Sequence, residues 1–400
     1  MRFIILLTLL AALMIFNEPS GFCGSLYSAN GIGNIIPDDI GRSRGMGGAG
    51  IANDDGMNIL RDNPALIATF DNYSFSFGVV YNYNKANIPG VESYNYGKTT
   101  PDLIKIVMPL SKYIALGWGL SPYSKTDTII NIPNVQNGVN IQDTVSSSGG
   151  INVSTTTIAG SFRDFLKFGY SLNYYFGMIQ EDWDRSFQDN ENDLKDSIYY
   201  IKRKYKGYGQ SIGILANIYK NTTLGIGYTS KSDLDLNTYA ISGFFTNPEK
   251  LLSAETASLP TSWRFGIFYY FSERLNAGMD LTLLQWEDAA RDSVEMKMYN
   301  NTFRFGTGIR FIPSTRASAS FLKKLPISIG FRVGTLYYKS YPSIDTIFEK
   351  AVTFGIEIPF KGNLGSIITT FEYGTRGDKS KNGWDENIMS LGIALVGKIK

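Results

Sequence analysis

The sequence predicts an all-β fold: a transmembrane antiparallel up-and-down β-barrel of about fourteen strands with an N-terminal plug inside its lumen. Three observations carry this prediction. From about residue 72 the dominant hydrophobic period is two, with an apolar and aromatic face set against a small, polar or charged one. The connections between the alternating runs are short on one side and long on the other, as in outer-membrane barrels. Beyond residue 16 no apolar run approaches the length of a membrane helix, so any crossing of a bilayer must use strands.

The elements follow in chain order. Arg2 and the uncharged run Phe3 to Phe16, broken by Asn17-Glu18-Pro19, read as an export signal over residues 1–23. Gly21 and Cys23 supply small residues before a cleavage point ahead of Gly24, and Phe22 is too bulky to precede a lipidated cysteine. Residues 24–71 are rich in Gly, Asn, Asp and Ile without a sustained period. They are too apolar for a loose tail, and a compact plug accounts for them. Residues 72–400 form the barrel, with strands near 72–84, 101–110, 112–125, 150–162, 165–183, 208–219, 222–233, 262–271, 274–288, 301–312, 326–339, 350–360, 365–376 and 387–399.

Short turns fall at Leu110–Ser111, Arg163–Asp164, Asn221–Thr222, Ser272–Glu273 and Lys361–Asn363. Long excursions fall at 85–100, 126–149, 184–207 and 234–261. The segment 313–325 is long where a short turn is due. The inward strand faces carry Arg264, Asp280, Arg304, Arg310, Arg332, Glu357 and Glu372, which either pair with each other or with Asp54 and Asp55, or line a water-filled lumen.

Composition narrows the chemistry. With no histidine, Ser-His-Asp and Cys-His nucleophiles and imidazole metal sites are excluded. One cysteine, Cys23, permits no intrachain disulfide and no thiolate cluster. A net charge of +2 gives no electrostatic footprint for nucleic acid. No enzyme, cofactor or metal is expected. Asp189, Glu191 and Asp193 have the spacing of a calcium loop, but Leu194 stands where its sharp turn needs Gly.

The stretch GRSRGMGGAG (41–50) spells Gly45-x-Gly47-x-x-Gly50, and Asp71 follows about twenty residues later, as in a dinucleotide fingerprint. That site needs a strand before it and a helix N-terminus after it. Here a polar stretch precedes it and the turn composition Asn53-Asp54-Asp55-Gly56 follows. The glycines read as a means for the backbone to fold tightly in a crowded lumen.

The stretch GIGNIIPDDIGRSRGMGGAGIANDDGMNILRDNPALIATFDNYSFSFG resembles the plug and first strand of the FadL/TodX family of outer-membrane transporters for long-chain fatty acids and other hydrophobic compounds. Its most specific part is Asn63-Pro64-Ala65-Leu66-Ile67 with Phe70-Asp71. Gly117-Trp118-Gly119 falls where that family has a glycine-rich kinked strand, and LPTSWRFGIFYY (259–270) is similar to its eighth and ninth strands. The ending Lys398-Ile399-Lys400 departs from the aromatic residue usual there.

The resemblance implies passive import of a hydrophobic small molecule across the bacterial outer membrane by a barrel acting as a monomer. Cargo is caught outside, enters a pocket beside the plug and leaves sideways into outer-membrane lipid. Gly45, Gly47, Gly50, Asn63, Pro64 and Ala65 are then the plug motif, and Gly117, Trp118 and Gly119 the lateral-gate candidates. Phe244, Phe245, Leu251 and Leu252 are capture candidates, with Asn247-Pro248-Glu249 opening a short helix that presents the two leucines. Arg264 and Arg304 are candidates to hold an acidic head group. Two other readings stay open: a plug-bearing barrel that is a structural or shuttle component of a secretion apparatus, and a general diffusion porin.

Overall fold

The computed structural model describes residues 25–90, 93–136, 139–163, 165–187, 197–242, 250–290, 299–314, 318–339 and 345–399. Its strands are β1 (Asn34–Ile35), β2 (Tyr73–Asn87), β3 (Tyr94–Pro109), β4 (Ile114–Gln136), β5 (Val139–Phe162), β6 (Leu166–Phe187) and β7 (Ser197–Tyr219). They continue with β8 (Thr222–Thr229), β9 (Ser232–Ser242), β10 (Lys250–Leu259), β11 (Thr261–Ser272), β12 (Leu275–Gln285), β13 (Thr302–Phe311), β14 (Ile327–Lys339), β15 (Thr346–Pro359), β16 (Gly365–Gly377) and β17 (Asp385–Ile399). Both β8 and β9 pair with β7, and β11 and β10 pair with them in turn. Each of these two couples is one wall strand with a break, at Ser230–Lys231 and at Pro260. The wall therefore has fourteen antiparallel strands, closed by β17 on β2 from Asp385↔Asn87 to Ile399↔Tyr73.

The period-two pattern is the barrel's inside and outside. Phe77, Ile104, Trp263, Phe265, Ile267, Phe331 and Phe354 face out and are exposed, while Ser76, Lys105, Asp280, Arg332, Glu357 and Ser390 face in and are buried. An apolar outer band belongs in lipid, and closure satisfies the backbone groups that lipid cannot. The short turns gather at one end with Tyr73 and Ile399, the two ends of the wall. This is the asymmetry of an outer-membrane barrel, with the short-turn end toward the periplasm.

The long excursions are corrected in kind. Residues 126–149 continue β4 and β5 as a paired hairpin from Thr126↔Gly149 to Gln136↔Val139. The described parts of 85–100, 184–207 and 234–261 are likewise largely strand. In β4 and β5 the buried positions of the extension, Thr126, Thr128 and Ser147, are polar rather than apolar, so the alternation fades while the hydrogen-bonded ladder runs on. The long connection between β13 and β14 carries a 3₁₀ turn, Phe321–Lys324, with Phe321 and Leu322 exposed.

The apolar core lies within the wall. Met46, Ala49, Leu60 and Leu66 pack with Leu215 and Phe268 of the wall. Higher up, Tyr27 and Ile32 join Tyr123, Tyr175, Trp286 and Tyr337 in an aromatic cluster.

Candidate functional site

The floor of the site is built by residues 25–70. Asn63 accepts from the Ala65 N–H at 3.1 Å and so caps the 3₁₀ helix Pro64–Thr69. Its side-chain amide donates to Ile51 O at 2.8 Å and to Ile214 O of β7 at 3.3 Å. Gly213 of β7 leaves room for this helix, since a Cβ there would lie 2.8 Å from Pro64 Cδ.

The GMGGAG stretch is seated in the same manner. Arg42–Gly45 is a single helical turn, Gly47 has φ 71°, and the Met46–Gly47 backbone lies against Gly306, Gly308 and Gly330. The Gly47 N–H donates to Thr353 Oγ1 at 2.9 Å, and the Gly50 and Ile51 N–H groups donate to Asp280 Oδ2 at 2.7 and 2.8 Å. These donors are spent on the barrel's own side chains. That is how the wall recruits a glycine-rich segment that resembles a phosphate cradle.

Ion pairs complete the floor. Lys105 Nζ lies 2.7 Å from Asp38 Oδ1 and donates to Ile59 O at 2.6 Å. Arg42 joins Asp55 at 2.6 Å and also Glu357, which takes Arg310 at 2.9 Å. Arg332 pairs with Glu372 at 2.5 Å and Glu349 at 3.0 Å. Arg264, expected as a head-group holder, is engaged by Asp62. Asp54 accepts from Tyr270 Oη at 2.7 Å. Such pairs hold only while both partners stay; removing one typically costs about 3–5 kcal/mol.

Above this floor lies a cavity of about 450 Å³. Arg304 lines it without a hydrogen bond or ion pair among the described residues, beside Arg332 and the buried Trp286. Trp286 stacks on Tyr337 with ring centres 4.2 Å apart, and its Nε1 has no hydrogen-bond partner among the described residues. Val80, Tyr96 and Leu284 add apolar surface. The lining is thus mixed, with cationic groups beside aromatic ones.

The wall beside the cavity is incomplete. β3 and β4 pair only from Pro109↔Ala115 to Ile104↔Leu120. Above that, β3 stays with β2 from Pro101↔Val79 to Tyr94↔Ala86, and β4 stays with β5. Pro122 and a bulge between Pro122 and Ser124 mark the point of separation. Pro101, Pro122, Lys98 and Asp127 line both the opening and the cavity.

Gly117, Trp118 and Gly119 lie just below the opening, in the paired stretch. A Cβ at Gly117 would lie 3.1 Å from Ile67 Cδ1, and one at Gly119 the same distance from Lys105 Cγ, so both make room for interior side chains. Trp118 faces outward and donates to Ser154 Oγ at 3.2 Å.

Leu251 and Leu252 are exposed, but in strand β10 rather than on a helix, with a bulge between Leu251 and Ser253. The ladder to β9 supplies more backbone bonds than a short exposed helix, and it wins. Phe244, Phe245, the Asn247-Pro248-Glu249 cap and the acidic residues 189–193 lie outside the described residues. Exposed apolar side chains on the tall hairpins, Ile130, Ile132 and Trp183, went unread at the sequence level. So did Lys98, Asp127 and the small strand β1, since pairing across a gap leaves no local pattern.

By fold, the chain is similar to a Pseudomonas aeruginosa FadL homologue, at 11% identity over 92% of this chain and 99% of that one, with a TM-score of 0.61. The Ralstonia pickettii toluene transporter TbuX gives 16% identity, 91% and 99% coverage and a TM-score of 0.63. The P. putida toluene transporter TodX gives 14%, 91% and 99%, and 0.59. Identities this low establish the shared fold alone. No curated protein matches by sequence. The sequence profile of one family, described as BamG, matches residues 1–396, nearly end to end, and the chain belongs to the BamG family.

Proposed function

We propose that this protein is a passive importer of hydrophobic compounds across the outer membrane, acting as a single chain, with the opening between β3 and β4 as the route from cavity to lipid. The observation that carries the reading is the separation of these strands above Leu120 and Ile104, beside a cavity floored by residues 25–70. Residues 24–71 act as the plug, after removal of residues 1–23. Similarity in fold to transporters named for toluene and to a FadL homologue supports the cargo class.

Exposed apolar side chains at the outer end, among them Ile130, Ile132, Trp183, Leu251 and Leu252, catch the cargo. Each methylene withdrawn from water is worth about 0.8 kcal/mol, so an apolar lip competes where an open aqueous pore does not. Arg304 holds the head group of an acidic cargo. The test is uptake of labelled long-chain fatty acids and aromatic hydrocarbons by cells with and without the chain. Equal uptake of every compound sinks the reading.

A second reading, a structural or shuttle barrel for a protein partner, is favoured by one observation. The hairpins of β4 to β7 rise well beyond the length needed to cross a bilayer and carry exposed Ile132, Val135 and Ile198. Co-purification of one defined protein with the detergent-solubilised barrel distinguishes it.

A further inference from the structure

We propose that the side opening is closed by a weak two-part latch: the strand β1, lying on the free edge of β4, and the ion pair Lys98–Asp127, which spans the gap. This rests on the importer reading, because it assigns the gate of that route. A strand edge without a partner exposes backbone donors and acceptors that lipid cannot satisfy. Here residues 25–36 supply part of what β3 does not. Asn34 and Ile35 pair antiparallel with Lys125 and Ser124, and the Ile36 N–H donates to Tyr123 O at 2.9 Å. One turn earlier in the segment, Ser28 Oγ accepts from the Asp127 N–H at 3.2 Å, and Ser25 O accepts from Thr128 Oγ1 at 3.2 Å.

Two further features show that this edge is fitted to the segment. Gly33, at φ 87°, sits so close to the Lys125 backbone that a Cβ has no room there. From the opposite wall, Tyr337 Oη accepts from the Ile32 N–H at 3.1 Å and donates to Gly33 O at 2.8 Å, which fixes the segment's height against β4.

The ion pair closes the gap from above. Lys98 Nζ of β3 lies 2.5 Å from Asp127 Oδ2 of β4, the two strands otherwise unpaired at this level. Lys98 is 42% exposed and Asp127 13%, so water reaches the pair from the lysine's side. The floor is different: Lys105 and Asp38 are 4% and 1% exposed. A latch of three backbone pairings, two serine contacts and one ion pair whose lysine is half exposed opens without disturbing that floor. When it opens, β1 leaves β4, Lys98 and Asp127 part, and the cavity communicates with the outer part of the bilayer between β3 and β4.

The test uses the chain from Gly24 onward in proteoliposomes, with Ser390→Cys as reporter on the cavity lining; Cys23 leaves with residues 1–23, so the reporter is the lone thiol. Two maleimides are compared, one dissolved in the bilayer and one in water. Lys98→Ala and Ile36→Pro, which removes the N–H donated to Tyr123, raise the rate of labelling from the bilayer by about two- to fivefold. The reversed pair Lys98→Asp with Asp127→Lys returns it toward the starting rate, and labelling from water is unchanged. Equal bilayer labelling in all variants overturns the latch, as does an equal rise from both phases, which reports general loosening. Uptake is measured in parallel. A bilayer-side rate that responds while no compound is taken up keeps the latch and removes the importer reading.

Discussion

The seam between β17 and β2 and the junction between β3 and β4 are neighbours on the wall, separated only by the pairing of β2 with β3, and they are built in opposite ways. β17 and β2 pair without interruption over the full length of both strands. β3 and β4 pair over six residues each and then part. Inside the first seam lies the buried Glu386 of β17, which is held by several partners: it accepts from Ser25 Oγ at 2.6 Å and from the Leu26 N–H at 2.7 Å, with Arg376 3.6 Å away. Across the second lies one ion pair, with Lys98 42% exposed and Asp127 13%. The same wall thus has a sector made to stay shut and a sector held by contacts that water can replace. Burial decides which is which, because an ion pair stripped of one partner is costly in a dry lumen and nearly neutral at a wet rim.

The comparison breaks most sharply at the floor. Asp38→Ala leaves Lys105 charged and buried without its carboxylate and is expected to lower stability by about 3–5 kcal/mol. The temperature at which the detergent-solubilised barrel loses its β circular dichroism should fall clearly. An unchanged melting temperature would mean that the floor is as loosely held as the rim.

Next in size is packing between residues 25–70 and the wall. Gly213→Val drives a side chain into Pro64, whose ring cannot give way, and is expected to cost about 1–3 kcal/mol in the same melt. Gly117→Val meets its tightest contact, 3.1 Å, at the flexible end of Ile67 and should cost less. If the order reverses, the paired stretch below the opening is the more rigid of the two regions.

The smallest effect belongs to the outermost hairpin. Arg185 donates to Asp143 at 2.6 and 2.8 Å, and this hydrogen bonding holds the Asp143 carboxyl below its usual pKa. A carboxyl lowered in the folded state stabilises at pH above its unfolded value, and the contribution is lost as pH falls through the folded value. Amide-exchange protection near Asp143 is therefore expected to weaken slightly with acidification below the ordinary carboxylate range. It should be insensitive to pH there in Arg185→Ala. Equal pH response in both chains would remove the pair as the cause.

Much of the lumen was legible in the sequence. Arg310, Arg332, Glu357 and Glu372 stand at inward positions of period-two runs, where charge in a membrane strand demands a partner, and each has one. Their partners were less legible. Asp54 turned out to serve Tyr270 and Asn217, and Arg264 found Asp62. Which acid meets which base depends on how residues 25–70 coil inside the wall, and that path has no period. The tall hairpin of β4 and β5 was missed for a different reason, since its buried positions Thr126, Thr128 and Ser147 are polar and leave no apolar alternation.

By itself, the sequence determined the closed antiparallel wall, its fourteen strands, its membrane end and its charged interior. Each is imposed strand by strand by a solvent that differs on the two faces. Only the tertiary structure decided that β4 takes β1 in place of β3 above Leu120, and that Lys98 reaches Asp127 across the gap. A strand's alternation specifies its two faces. It does not specify which neighbour lies along its edge, because edge pairing is made by backbone groups that every residue but proline shares.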